Sequence, residues 1–408
     1  MTVDGLRGYL LTAALLALPW MAAADVITEW NERAVASSLA AKQLPFVGTR
    51  TLAIVHTAMF DAVNSIAGRY APYRAKVSAA AGASQEAAAV AAAHATLVEV
   101  FPDQKVTLDS AYAAALTRIP DGAGKTEGIA VGEKVAAQAI SQRASDGSAA
   151  PNTYRPVTSP GVYITTTLPI GSQWGSVTPW LMERGSQFRP GPPPSLTSAE
   201  WARDCNEIKD IGGKKSTLRS AEQTDIARFW VITGPASWDP IARQLADVPT
   251  RSLIENARLF ALVETAAADA YIAVFDAKYT YNFWRPITAI RNGDLGGNPA
   301  VTRVADWEPV IDTPLHPEYP CAHCITSAAA GTVLEAEFGR GAVPTLTMTS
   351  TSAPGVVRKW GTIKEWMDEV SMARIYGGIH YRNSMLVGQE MGRKIGALAV
   401  QNYLRPAH

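Results

Sequence analysis

Apolar positions recur every three to four residues along most of this chain, the spacing that gathers them on one face of an α-helix. Alanine-rich periodic stretches cover about 29–41, 48–67, 84–100, 105–118 and 124–144. The pattern resumes at about 198–217, 220–233, 252–278, 322–338, 358–373 and 380–403. Pro45, Gly68, Ser84, Pro102 and Pro120-Asp121-Gly122 punctuate the first set. Ser84 and Asp103 stand where N-caps belong, because a short side-chain oxygen there accepts from amides the helix leaves unpaired. No stretch sustains period-2 alternation, and no internal repeat is visible. The pattern predicts an all-α protein of one or two helical bundles.

Residues 146–197 break the periodicity. They are rich in Ser, Thr, Gly and Pro and end in Arg189-Pro-Gly-Pro-Pro-Pro194. So long a segment without helical pattern reads as a functional loop or lid, and Trp174 and Trp180 give it apolar anchors. The expected organisation is one all-α domain over 25–408. It comprises an N-terminal bundle (25–145), the loop or lid (146–197) and a C-terminal catalytic bundle (198–408). The first 24 residues differ in kind: Arg7, an apolar run from Tyr9 to Leu18 and Ala22-Ala23-Ala24 read as a cleavable secretory signal. That run is too short for a spanning helix, which needs about 20 apolar residues. A secreted or periplasmic protein without a membrane span is expected.

Composition excludes some partners. Hydrophobic residues make up 47% and charged residues 18%, ample for a packed core. With 37 basic and 37 acidic residues the chain is neutral, so nothing draws it to nucleic acid or anionic membrane. Three cysteines, Cys205, Cys321 and Cys324, are too few for a disulfide scaffold, and their odd number leaves at least one unpaired within the chain or an intermolecular bridge. The pairing stays open. Around Cys321-x-x-Cys324 there is no strand–helix redox pattern, and zinc would want more ligands.

In this neutral chain, five basic side chains fall in three short segments. Lys278 and Arg285 are seven residues apart, which puts them on one face if a helix continues, with Pro286 disturbing it just beyond. Paired cations among Tyr279, Tyr281, Phe283 and Trp284 repel unless an anion sits between them. His323 follows Pro320 and falls in the first turn of a helix beginning at Cys321 or Ala322. Free N–H groups there attract anions, and the dipole lowers the imidazole pKa. Arg374 and His380 lie about 240° apart on an unbroken helix, but Gly377-Gly378 can break it and let both converge. Three fixed cations and two imidazoles suit a tetrahedral oxyanion and proton or nucleophile chemistry upon it. His56, set among apolar neighbours, reads as a satisfied core histidine.

In order, K-x6-R-P, a P-S-G-H-like step and R-x5-H resemble the signature of the vanadium-dependent haloperoxidases and the related type 2 phosphatidic acid phosphatases. Phe283-Trp284-Arg285-Pro286 and the run from His316 to His323 are more similar to the haloperoxidase branch. This resemblance implies a helical bundle of the vanadium haloperoxidase type, with vanadate as cofactor and phosphate able to take the same site. Hydrogen peroxide, a halide and a small organic acceptor would be the partners, and a homo-oligomer is left open. Lys278, Arg285 and Arg374 would bind the equatorial oxygens, with Ala322 and Gly378 in the same binding set. His380 would be the apical vanadate ligand and the sole metal-ligating side chain. His323 would be the acid–base group, and Lys278 would also activate peroxide. His316 occupies the place of a histidine in algal bromoperoxidases, which favours bromide. Cys321-Ala322 replaces the family's Ser-Gly, putting a weaker donor and an oxidisable thiol beside the site. The alternatives are a soluble acid phosphatase, with a phosphorylated His380, and an inactive oxyanion-binding homologue.

Overall fold

Residues 25–407 are described by a computed structural model, and helices dominate them. The expected signal, residues 1–24, lies outside the described residues. First come α1 (Val26–Ala40), α2 (Pro45–Ala67), α3 (Gln85–Val100), α4 (Lys105–Thr117) and α5 (Ala123–Arg143). A long irregular stretch leads to α6 (Ala199–Ile211), α7 (Ala221–Phe229), α8 (Asp239–Ala246), α9 (Leu253–Tyr281) and α10 (Pro286–Arg291). The chain closes through α11 (Ala322–Phe338), the strands β1 (Leu346–Ser350) and β2 (Ala353–Trp360), α12 (Ile363–Tyr376) and α13 (Arg382–Asn402). Among the described residues, no helix is long and apolar enough to cross a membrane.

The apolar surface of α9 runs around almost its whole circumference, as a helix buried on all sides requires. It packs against α2 on one flank and α11 and α13 on others, and one apolar core runs through both halves of the chain. Ser252 and Glu255 start it with a reciprocal capping box, and Asn282 ends it in the left-handed conformation. Close approach of α13 to α11 depends on Gly388, Gly392 and Gly396, four residues apart. A Cβ at Gly392 would collide with the carbonyl of Ile325. Ser84 caps α3, its hydroxyl accepting from Ala87 N at 3.1 Å. Asp103 does not cap α4. A 3₁₀ turn over Pro102–Gln104 comes first, and Gln104 precedes the helix without a side-chain bond.

The pattern missed the hairpin. The helix expected over 358–373 starts only at Ile363, and β2 occupies the positions before it. Leu346, Met348 and Ser350 do alternate inward along β1, but five residues are too few to outweigh the helical background. Register runs from Leu346 opposite Trp360, with an irregularity at Thr349/Ser350.

Residues 146–197 form a strap fastened across α9. Buried Asp269 on α9 accepts from the amides of Trp180 (2.7 Å), Leu181 (2.8 Å) and Met182 (2.7 Å). Arg189 pairs with Asp276 through two bonds of 2.7 Å, and Trp174 and Trp180 are buried.

His56 sits in the core, stacked on Phe260 at 5.1 Å between centroids, with its Nε2 accepting from Asn31 Nδ2 at 3.0 Å. Burial, aided by nearby Arg243, lowers its pKa to about 3. An unfolded histidine titrates near 6.5. Its contribution is therefore present above pH 6.5 and is lost as pH falls towards 3, by about 1.4 kcal/mol per pH unit. Denaturant titrations of the wild type and His56→Gln from pH 7 to 4 are expected to show a shallower acid limb in the variant by that slope. Parallel limbs would refute it.

Candidate active site

Asn282 ends α9 before Arg285, so Lys278 and Arg285 do not share the continuous helix that their spacing invited. Lys278 remains in the last turn of α9, while Arg285 stands in extended backbone just before Pro286 opens α10. They still converge, because the loop folds back. α11 begins at Ala322, which places His323 in its first turn. α12 ends at Tyr376, and Gly378, at φ 79°, turns the chain so that His380 faces the others.

Lys278 (0% exposed), Arg285 (1%) and Arg374 (1%) are all withdrawn from water. Arg285 Nη1 donates to His380 Nε2 at 3.2 Å, and its Nη2 to His316 Nδ1 at 3.0 Å. Arg374 Nη1 donates to His323 Nε2 at 3.0 Å. A guanidinium can only donate, so each of these ring nitrogens is an acceptor and each ring is neutral. Burial lowers the pKa of all three histidines well below 6.5. Arg374 adds to this at His323, Arg285 and then Lys278 at His380, and Lys278 and then Arg285 at His316. The cations strain in the same sense. Desolvation depresses Lys278 well below its usual range, Arg285 to about 10 and Arg374 to about 9.

Glu318 escaped the sequence reading, although it lies inside the quoted run from His316 to His323. Its Oε1 accepts from His380 Nδ1 at 2.7 Å and from Tyr381 N at 3.0 Å. Lys278 Nζ donates to the carbonyls of Pro317 (2.8 Å) and Glu318 (2.7 Å). Burial pushes the Glu318 carboxyl up to about 7, against the pull of Lys278 and Arg285. The effect is to hold the proton on Nδ1 of His380 and leave its Nε2 lone pair directed away from the carboxylate.

A cavity of about 390 Å³ opens onto Arg374, His316, His323, His380 and Ala322. Phe46, Tyr271, Phe275, Ile170 and Ile311 form its apolar walls. Gly378 is not brought to the cavity. Its amide donates to Ile375 O at 3.0 Å, and it packs against Gly212 and Pro309. Cys321 and Cys324 are joined in a disulfide, so the oxidisable thiol expected at 321 does not exist; Cys205 is the free, buried cysteine.

Does this set fit a tetrahedral oxyanion? Arg374 Nε and Nη2 are buried without any partner. Among the described residues, neither Arg285, Arg374 nor Lys278 forms an ion pair, and the first-turn amides of Ala322 and His323 have no acceptor. Orphaned donors and uncompensated buried cations are costly unless an anion answers them. The residues fit vanadate or phosphate.

Fold and site together define a mainly helical bundle protein with a buried, anion-complementary cage. The VCPO second helical-bundle domain matches residues 258–408, where all of these groups lie. Vanadium chloroperoxidase of Curvularia inaequalis is 27% identical over 173 residues, 36% of this chain and 28% of that protein's length. The fold superposes on a bacterial vanadium-dependent iodoperoxidase with a TM-score of 0.80 and 26% identity, over 93% of this chain and 96% of that one. An apo bacterial vanadium-dependent chloroperoxidase matches in fold at 0.72, with 17% identity, over 87% of this chain and 92% of that one. Residues 258–408 match the second helical-bundle domain of the vanadium-dependent haloperoxidase family, and the fold as a whole is similar to that of its members.

Proposed function

We propose that the protein is a vanadate-dependent haloperoxidase that oxidises halide with hydrogen peroxide to hypohalous acid, with a small organic molecule as final acceptor. The observation that carries this reading is the set of buried cations, Lys278, Arg285 and Arg374, with unanswered donors on Arg374 and on the first turn of α11. Lys278, Arg285 and Arg374 would hold vanadate by charge, the amide of Ala322 would add a donor, and His380 Nε2 would be its protein ligand. When bound, vanadate supplies the Lewis-acid chemistry that activates peroxide. Glu318 keeps His380 in the tautomer that presents Nε2. His323, neutral at working pH, can take a proton from peroxide or water arriving through the cavity and return it later. The apolar walls exclude water and strengthen each charge interaction.

Bromide is the halide proposed first, from His316 on the cavity wall. The likeness to an iodoperoxidase at 26% identity makes iodide the second to test. A disulfide survives best in an oxidising compartment, which supports export to the periplasm or beyond.

A soluble phosphatase is a second reading, favoured by the Glu318–His380 pair, which also suits a nucleophilic imidazole with His323 as the opposing acid. Reconstitution with vanadate, followed by bromide- and iodide-dependent halogenation assays alongside phosphomonoester hydrolysis, separates the two. Halogenation that appears only with vanadate is expected. Full vanadate occupancy without halide oxidation, with phosphate trapped on His380 during turnover, would sink the first reading.

A further inference from the structure

Position 321 is where this chain departs from the family's pattern, and the structure gives the departure a covalent partner. Cys321 is the N-cap of α11 and Cys324 stands three residues on, with Cα atoms 5.3 Å apart and a disulfide between them. The bridge therefore spans the first turn of the helix and brackets His323. In this bond Cys321 Sγ has no proton to donate, and it accepts from Cys324 N at 3.2 Å. A side-chain donor to an anion at this position is thereby removed. Ala322 and His323, whose amides have no partner among the described residues, line the cavity together with Arg374, whose Nε and Nη2 are buried and unpartnered.

The turn is held from outside as well. Cys321 N donates to Ser384 O at 3.2 Å. Gly388 of α13 comes so close that a Cβ there would meet Cys321 O at 2.8 Å and the Cβ of Cys324 at 3.2 Å. Both sulfur-bearing residues are fully buried, so the bridge offers no surface to a protein thiol partner. Its geometry serves the neighbouring amides.

We propose that the Cys321–Cys324 disulfide is a positioning element of the oxyanion site, locking the first turn of α11 so that the Ala322 and His323 amides stay directed at the bound anion. It takes over by rigidity what a side-chain donor at 321 would supply by a hydrogen bond. This rests on the reading that the cage holds a tetrahedral oxyanion. The bridge also suits a site that meets peroxide. One thiolate attacks hydrogen peroxide, yielding a sulfenic acid and hydroxide, which takes up a proton to become water. The second thiol then displaces the sulfenic oxygen as a second water, leaving the disulfide. Two thiols and one peroxide become one disulfide and two waters, so the co-substrate of the proposed reaction closes the clamp.

The test uses the full chain in three forms beside the wild type. Cys321→Ala/Cys324→Ala lacks both clamp and donor, Cys321→Ser/Cys324→Ala lacks the clamp but regains a hydroxyl, and Cys205→Ser is the control. Calorimetry gives affinities for vanadate and, separately, inorganic phosphate, and hydrogen exchange follows the amides of residues 322–327. A wild-type sample reduced in denaturant by an excess dithiol, which is oxidised to its own disulfide as the protein bridge opens to two thiols, and then refolded without oxidant with both thiols verified by alkylation, covers the case in which a variant does not fold. The Ala/Ala form and the reduced wild type are expected to bind both anions about tenfold more weakly, with faster exchange confined to the first turn, because a preorganised site avoids the ordering cost on binding. The Ser/Ala form is expected to regain part of the loss, and the control to match the wild type. Wild-type affinity in the folded Ala/Ala form or the reduced protein would overturn the clamp while leaving the oxyanion reading intact. A wild type that binds neither anion would overturn both.

Discussion

Replacing His380 by alanine is expected to cut vanadate affinity by at least about a hundredfold while phosphate affinity changes by less than about tenfold. The asymmetry follows from the cage. Phosphate can be held by charge and hydrogen bonds from Lys278, Arg285 and Arg374, which the substitution leaves in place. Vanadate would additionally take a ligand, and Nε2 of His380, which here accepts from Arg285, is the ring nitrogen that Glu318 leaves unprotonated. Halide oxidation is expected to fall by at least about a thousandfold, or about 4 kcal/mol of barrier. Equilibrium dialysis with each anion, together with initial rates at saturating vanadate, reads both effects. Equal losses for the two anions would mean that His380 acts as one more donor and not as the vanadate ligand.

The strap gives the second large effect. Asp269→Ala removes the acceptor shared by the amides of Trp180, Leu181 and Met182, all inside the protein. Each buried amide left unpaired costs about 1–3 kcal/mol. A loss of at least about 3 kcal/mol is expected in urea unfolding, with protease cutting within 146–197 before the helical core opens. Asp269→Asn keeps one acceptor oxygen and should fall between the two. Because Ile170 in the strap also lines the cavity, the alanine variant is expected to weaken anion binding even at temperatures where it stays folded. Unchanged protease resistance of 146–197 in the alanine variant would show that the strap is held by its tryptophans and not by Asp269.

The helical class was legible because apolar spacing is a local property, and α2, α3, α5, α9, α11 and α13 all follow it. Boundaries were less legible where tertiary packing decides them. α9 runs on to Tyr281 and then stops at a left-handed Asn282, so Lys278 and Arg285 meet through a folded-back loop and not along one face. The hairpin before α12 is short, half exposed and embedded among helical patterns, which left no period to read.

By itself, the amino-acid order determined the helical scaffold and the kinds of group that reach the site: three cations and the imidazoles of His316, His323 and His380. Side-chain chemistry and its spacing are written locally, so they can be read before the chain is folded. Only the tertiary structure decided that these cations are buried and form no ion pair among the described residues, that Glu318 holds His380, that the Gly378 amide turns elsewhere and that Cys321 is bonded to Cys324. Those outcomes depend on desolvation and on contacts between segments distant in sequence or across a helix turn, and neither is set by the neighbours of any one residue.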